Sequence, residues 1–127
     1  MNTVSSLKKV VAVDDIPENL LVLKAIFAEA EWELITAVNG LDAMEKIKKH
    51  NPDIVVTDTN MPEACGIDLI KSIRKAFLDL PIIIYFSGCN QFPEIKKNDL
   101  LELGANIVLE KPYTAFQLIP ICTDLLS

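Results

Sequence analysis

Acidic residues directly follow two of the apolar segments in this chain of 127 residues. Asp14 and Asp15 follow the run Val10–Val13. Asp58 follows the run Ile54–Thr57. If the two runs are neighbouring parallel strands, their carboxyl ends lie at one edge of a sheet, and the three carboxylates converge. Carboxylates about 5 Å apart repel one another by a few kcal/mol per pair, so we expect a cation between them. Oxygen ligands with an open face suit Mg²⁺.

Two further polar groups follow apolar runs of the same kind. Ser87 and Gly88 follow Ile82–Phe86, and Lys111 comes shortly after Ile107–Leu109. The ammonium group of Lys111 supplies a point charge, and the hydroxyl of Ser87 a hydrogen bond, for the oxygens of a phosphoryl group. Together with the carboxylates, these residues predict a phosphoryl-transfer site.

Short β-branched runs predict the strands that position these groups. The runs are Val10–Val13, Leu34–Val38, Ile54–Thr57, Ile82–Phe86 and Ile107–Leu109. Several are continuously apolar, which is typical of strands covered on both faces.

Apolar residues at helical spacing separate the strands and predict five helices. The first four are marked by Leu20, Leu23, Phe27 and Ala30 after Pro17; by Leu41, Met44 and Ile47 after the N-cap Asn39; by Leu69, Ile70 and Ile73; and by Leu100, Leu101 and Leu103 before the C-cap Gly104. The fifth is predicted to begin at Thr114, which forms a capping box with Gln117. Pro120 predicts a kink or a late start in that helix.

Alternation of five strands with five helices predicts an α/β fold. We expect a doubly wound, five-stranded parallel sheet of order 2-1-3-4-5, in a flavodoxin-like three-layer sandwich. The site then lies where the strand order reverses, between the first and third strands. We expect residues 1–127 to form a single domain, with a core at about 8–126.

Composition excludes several classes of protein. The chain has 12 Lys and Arg against 18 Asp and Glu, a formal net charge of −6, so the basic surface of a nucleic-acid binder is missing. The longest apolar run, Ile82–Phe86, is far shorter than the roughly 20 residues of a membrane span. Cys65, Cys89 and Cys122 lack metal-ligand spacing and are expected to be free thiols. We therefore expect a cytoplasmic protein without membrane or direct nucleic-acid contacts.

At the residues of the predicted site, the chain resembles the receiver domain of bacterial two-component response regulators. The resemblance extends from Val10 to about Leu125. It rests on Asp14-Asp15, on Asp58-Thr59-Asn60-Met61-Pro62 with Gly66 eight positions after Asp58, on Ser87-Gly88, and on Gly104-Ala105 leading to Lys111-Pro112. This combination is highly specific to that family.

The resemblance implies a role for each acidic residue. Asp58 would accept a phosphoryl group from a phosphohistidine on a sensor histidine kinase or a histidine phosphotransfer domain. Asp15, Asp58 and the backbone carbonyl of Asn60 would ligate Mg²⁺. Asp14 would act on the ion through a water molecule.

The resemblance also implies how the signal is passed on. Ser87 would be the switch hydroxyl that moves towards the phosphate, and Lys111 the cation that contacts it. The protein would be a signalling phosphoacceptor rather than an enzyme, with only self-phosphorylation and autodephosphorylation expected. Val108 lies three positions before Lys111, where the family usually has an aromatic residue.

Three alternative functions stay open at this point. A receiver-fold docking or dimerisation module without phosphorylation-dependent switching is the first. A haloacid-dehalogenase-type hydrolase is the second, but it needs a second acid where this chain has Asn60. Flavodoxin-like cofactor binding is the third, but no glycine-rich loop follows the first strand.

The fifth predicted helix leaves few polar positions. Its apolar residues are Phe116, Leu118, Ile119, Ile121, Cys122, Leu125 and Leu126. A helix that is apolar nearly all round needs more cover than one sheet face gives. We hypothesise that the fourth helix, fifth strand and fifth helix pack against a second copy of the chain or an adjoining domain.

Overall fold

The computed structural model describes residues 8–58, 66–86, 94–110 and 117–126. Within these ranges, five strands alternate with five helices. The strands are β1 (Lys9–Val13), β2 (Glu33–Ala37), β3 (Ile54–Asp58), β4 (Ile82–Phe86) and β5 (Ile107–Glu110). The helices are α1 (Pro17–Glu29), α2 (Gly40–His50), α3 (Ile67–Ala76), α4 (Lys97–Leu103) and α5 (Leu118–Leu126). The predicted alternation is confirmed.

The five strands form one parallel sheet in the order β2-β1-β3-β4-β5, as predicted. Helices cover both faces, so the inner strands are buried on both sides. Every residue of β3 is buried, and so is the run Val10–Val13 in β1. Alternate residues of each strand enter two separate core clusters because successive side chains point to opposite faces. We call these clusters the α1–α5 side and the α2–α4 side.

Helix α2 begins as predicted but presents a different face to the core. The Asn39 side chain caps it by accepting the backbone N–H of Asp42 at 2.8 Å. Ala43 and Ile47 are its buried residues, whereas Leu41 is 75% exposed. The predicted helix is confirmed, but Leu41, one of the residues that marked it in the sequence, lies on its solvent side. Residues 41, 44 and 47 recur every three positions, whereas the helix has 3.6 residues per turn. Their side chains therefore rotate progressively around the helix and do not all lie on one face.

Helix α5 is apolar along most of its length and packs on the α1–α5 side. Five of its side chains are buried or partly buried there: Leu118, Ile119, Ile121, Cys122 and Leu125. Pro120 lies in the first turn, where its missing N–H has no intrahelical partner to lose. The predicted late start is thus confirmed, and the predicted cap Thr114 lies outside the described residues. None of the helices in the described part of the chain has both the length and the apolar character that a membrane span requires.

Arg74, in the last turn of α3, joins the segments that lead into β4 and β5. Its Nε donates to the Gly104 carbonyl at 3.0 Å, and its Nη1 donates to the Leu80 carbonyl at 2.7 Å. Its Nη2 donates to Asn106 Oδ1 at 2.8 Å, an oxygen that also accepts the backbone N–H of Ile82 at 2.9 Å. Burial lowers the pKa of the Arg74 guanidinium. We call this hydrogen-bonded group the Arg74 clamp.

Gly104 ends α4, as the sequence predicted. Its φ of +127° is one that L-residues rarely adopt. A Cβ at this position would lie 2.7 Å from Cγ and 2.9 Å from Nε of Arg74. Glycine is required here both by the backbone conformation and by the close approach of the Arg74 clamp.

Cys122 is a buried free thiol on the α1–α5 side. Burial raises its pKa from the ordinary 9.0 to about 12, so only about one thiol in ten thousand is ionised at pH 8. We expect Cys122, isolated by Cys65→Ser and Cys89→Ser, to be unreactive towards a thiol reagent in native protein at pH 8. It should react stoichiometrically in denaturant. A colorimetric thiol titration measures both states.

The same burial predicts how stability depends on pH. The thiol pKa is higher in the folded than in the unfolded chain. The protonated thiol therefore makes its full contribution to the free energy of unfolding below pH 9, and this contribution is lost as pH rises towards 12. A Cys122→Ala variant of the same background lacks this dependence and serves as the control. Rapid labelling of the native thiol at pH 8 would contradict the predicted lack of reactivity of Cys122.

Candidate metal centre

The carboxyl ends of β1 and β3 bring three carboxylates together. The two strands are direct neighbours, with Val13 opposite Thr57, so Asp14 and Asp58 follow at matching positions. One carboxylate oxygen from each of Asp14, Asp15 and Asp58 lies within 4.8 Å of the others. We call these three residues the acid cluster. The sequence predicted this convergence from the strand ends alone.

Burial distinguishes the three members of the acid cluster. Asp14 is fully buried and Asp58 is 6% exposed, whereas Asp15 is more accessible to solvent. The three carboxylates are close together and have little solvent around them, so their negative charges repel one another. The cluster therefore gains stability from any cation that its oxygens can bind.

Asp14 is held in place by donors from three parts of the chain. Its Oδ1 accepts the backbone N–H of Ile16 at 2.9 Å. Its Oδ2 accepts the Asn19 side-chain amide at 3.0 Å and the Tyr85 hydroxyl at 2.5 Å. A carboxylate has about four acceptor positions, so the three donors leave Asp14 little capacity for other partners.

Tyr85 is a neighbour of the site that the sequence pattern did not predict. The run Ile82–Phe86 predicted only an apolar strand, yet Tyr85 lies opposite Asp58 in the β3–β4 register. The available signal was the hydroxyl itself, because a tyrosine in a buried strand needs a hydrogen-bond partner. Asn19 was missed as well, and its position five residues after Asp14 gives no comparable signal.

The donor set of the acid cluster fits a hard divalent cation. All three groups offer carboxylate oxygen, which Mg²⁺ prefers over nitrogen or sulfur. Because all three side chains are acids, the cluster concentrates negative charge at one point of the sheet edge. An ion of charge +2 would relieve the repulsion between the carboxylates.

The other predicted site residues lie outside the described residues. These are Asn60, Ser87 and Lys111. The strands that precede Ser87 and Lys111 are described, and they end as neighbours, with Phe86 opposite Glu110. The roles assigned to Asn60, Ser87 and Lys111 stay predictions.

A profile of the response regulator receiver domain matches residues 10–122 of the chain. The chain belongs to this receiver family. Receiver domains are signalling modules of two-component systems, they interact with histidine kinases or phosphotransfer partners, and they typically bind Mg²⁺ at an acidic pocket. The family assignment removes the hydrolase and flavodoxin-like alternatives.

Individual relatives of this receiver are of several kinds. It is 37% identical to the chemotaxis protein CheY of Thermotoga maritima, over 84% of this chain and 87% of that protein. It is 35% identical to a protein-glutamate methylesterase/protein-glutamine glutaminase of Trichodesmium erythraeum, over 82% of this chain and 30% of that protein. The chain spans only 30–43% of the length of three of the curated relatives that it matches.

A solved structure supports the same fold. The response regulator protein TrrA of Thermotoga maritima, in complex with Mg²⁺-BeF, superposes on this receiver with a TM-score of 0.80. The two are 29% identical, and the match covers 94% of this chain and all of that chain. The predicted five-stranded receiver fold is thereby confirmed.

Proposed function

We propose that this receiver accepts a phosphoryl group on Asp58 from the phosphohistidine of a sensor histidine kinase or a histidine phosphotransfer domain. The position of Asp58 carries the proposal: it ends β3, is 6% exposed, and lies in the acid cluster. In the transfer, an Oδ atom of Asp58 forms a bond to phosphorus while the bond from phosphorus to the partner's imidazole nitrogen breaks. The imidazole of the partner is the leaving group.

The proposed ligands of Mg²⁺ are Asp15, Asp58 and the backbone carbonyl of Asn60, with Asp14 acting through a water. The three donors already bonded to Asp14 support this indirect role, because its oxygens have little capacity left for a direct ligand bond. The bound ion would neutralise charge that develops on the phosphoryl oxygens.

Lys111 and Ser87 complete the proposed site. The Lys111 ammonium contacts the phosphoryl oxygens as a point charge, and the Ser87 hydroxyl moves towards them. Phosphorylation then switches the interaction with a partner or an output domain. Apart from self-phosphorylation and autodephosphorylation, we propose no catalytic activity.

Exposed apolar side chains near the site support a protein partner at this edge of the sheet. Ile16 directly follows the acid pair and is 45% exposed. Val38 and Leu41 follow the carboxyl end of β2 and are 53% and 75% exposed. Apolar surface beside a phosphoacceptor suits a phosphodonor protein, which has to bring its histidine to Asp58.

We further propose that residues 1–127 form one receiver domain that works in the cytoplasm. The buried free thiol of Cys122 is in keeping with a reducing compartment. Leu118 and Cys122 of α5 are fully buried in the chain's own core. The proposed contact of α4, β5 and α5 with a second copy or an adjoining domain therefore relies on the partly buried side chains of this helix. Sedimentation with and without beryllofluoride tests the second-copy version.

The phosphoacceptor proposal is tested by intact-mass analysis after incubation with acetyl phosphate and Mg²⁺. We expect one added phosphoryl group, which is lost on treatment with hydroxylamine. The adduct should be absent with excess chelator and absent in Asp58→Asn. Glu45→Gln, which removes one exposed carboxylate on α2, is the matched control and should be phosphorylated like the wild type.

Failure of this experiment has a defined meaning. If no adduct forms in folded wild-type protein and beryllofluoride does not bind, the phosphoacceptor proposal is wrong. The receiver fold would then serve as a docking or dimerisation module without phosphorylation-dependent switching. An adduct that persists in Asp58→Asn would move the phosphoacceptor to another residue.

A further inference from the structure

Tyr85 joins the acid cluster to the core on the α1–α5 side. Its side chain is 4% exposed and belongs to the cluster that contains Leu118 and Cys122 of α5. The three residues of β4 that precede it are isoleucine, and their side chains need no polar partner. A buried phenol hydroxyl does need one, because leaving it without a hydrogen bond costs several kcal/mol in apolar surroundings.

The hydroxyl of Tyr85 reaches across the sheet to Asp14. The two residues belong to β4 and to the end of β1, and β3 lies between these strands. The hydroxyl donates to Asp14 Oδ2 at 2.5 Å and lies 3.4 Å from the Val13 carbonyl oxygen. A separation of 2.5 Å lies at the short end of the range for hydrogen bonds between a hydroxyl and an oxygen acceptor.

We propose that Tyr85 is a positioning residue of the metal centre, one that holds the Asp14 carboxylate in the orientation needed for Mg²⁺ binding. The inference rests on the proposed function of the acid cluster as a Mg²⁺ site. Asp14 is fully buried, and its Oδ2 accepts hydrogen bonds from two side chains, Tyr85 and Asn19. Donors of this kind fix the rotamer of a carboxylate that acts on the ion through a water, and loss of such an outer-shell interaction typically weakens metal binding about 10–100-fold.

Tyr85→Phe is the direct test because it removes only the hydroxyl and keeps the buried ring. We expect the dissociation constant for Mg²⁺, measured by calorimetry, to rise about tenfold. The chain has one other tyrosine, Tyr113, and Tyr113→Phe is the matched control. Its dissociation constant should stay within about twofold of the wild-type value, and circular dichroism verifies that both variants are folded.

A second measurement does not depend on how Tyr85→Phe folds. In Tyr113→Phe, Tyr85 is the only tyrosine, and its ultraviolet absorbance depends on the hydrogen bond that its hydroxyl donates. Mg²⁺ draws charge from the acid cluster and weakens the acceptor strength of Asp14. We expect a tyrosine difference spectrum that grows with Mg²⁺ and saturates with the calorimetric dissociation constant. Tyr85→Phe should lack it.

The outcomes separate this inference from the proposed function. If wild-type protein binds Mg²⁺ but Tyr85→Phe binds equally well or more tightly, Tyr85 does not position Asp14. Absence of the difference spectrum in Tyr113→Phe, in a protein that binds Mg²⁺, also overturns the inference alone. If the wild-type protein binds no Mg²⁺, the proposed metal centre fails and the inference fails with it.

Discussion

Asp58→Asn is expected to stabilise the metal-free protein by about 1–2 kcal/mol and to abolish the stabilisation that Mg²⁺ gives the wild type. Two carboxylates with oxygens no more than 4.8 Å apart repel by at least about 3 kcal/mol at an effective dielectric constant of about 20. Part of this gain is lost because the asparagine amide offers one acceptor oxygen in place of two in a buried position. Urea unfolding in chelator and in millimolar Mg²⁺ measures both effects.

The control for Asp58→Asn must change the net charge without touching the acid cluster. Glu45→Gln does so, because Glu45 is exposed in the middle of α2. Its stability in chelator should stay near that of the wild type, and Mg²⁺ should still stabilise it. A less stable Asp58→Asn that keeps its response to Mg²⁺ would contradict our account of repulsion within the cluster.

Gly104→Ala is expected to destabilise the protein by about 3–5 kcal/mol, a large part of the roughly 5–15 kcal/mol by which typical domains are stable. An L-residue held at φ +127° costs about 1–3 kcal/mol. The new Cβ would also lie 2.7 Å from Arg74 Cγ. Moving Arg74 away would break its hydrogen bonds to Gly104, Leu80 and Asn106. Equilibrium urea unfolding measures the loss.

Two comparisons make the Gly104 prediction specific. Gly40→Ala is the matched control, because a Cβ there meets only Leu69 Cβ at an ordinary 3.8 Å, and alanine favours a helix. Its change in stability should stay within about 1 kcal/mol. In an Arg74→Ala background the clash is absent, so Gly104→Ala should cost about 1–2 kcal/mol less than in the wild type. If the effects of Gly104→Ala and Arg74→Ala on stability simply add, then contact with Arg74 is not the cause of the destabilisation by Gly104→Ala.

Parallel topology explains why so much of the site could be predicted. Once apolar runs are identified as neighbouring parallel strands, the residues that follow them must meet at one edge, and Asp14, Asp15 and Asp58 do so. Local signals also sufficed for the caps at Asn39 and Gly104, because each depends on a side chain or a φ angle within one turn.

Other features depend on distances between elements, which the sequence pattern does not contain. The bond from Tyr85 to Asp14 spans 71 positions in the sequence and crosses an intervening strand. Arg74 reaches Asn106 across 32 positions, and its partners follow from how α3 lies against the start of β4. The exposure of Leu41 likewise follows from the rotation of α2 about its axis, which apolar spacing alone specifies only approximately.

The Arg74 clamp and the acid cluster lie at opposite ends of the sheet, since one precedes β4 and β5 and the other follows β1 and β3. A strand of about five residues spans about 16 Å, twice the Debye length of about 8 Å at physiological ionic strength. Unit charges that far apart interact by only about 1 kcal/mol at an effective dielectric constant of about 20. We therefore expect substitutions around Arg74 to change the thermal stability of this receiver far more than its affinity for ions at the opposite edge.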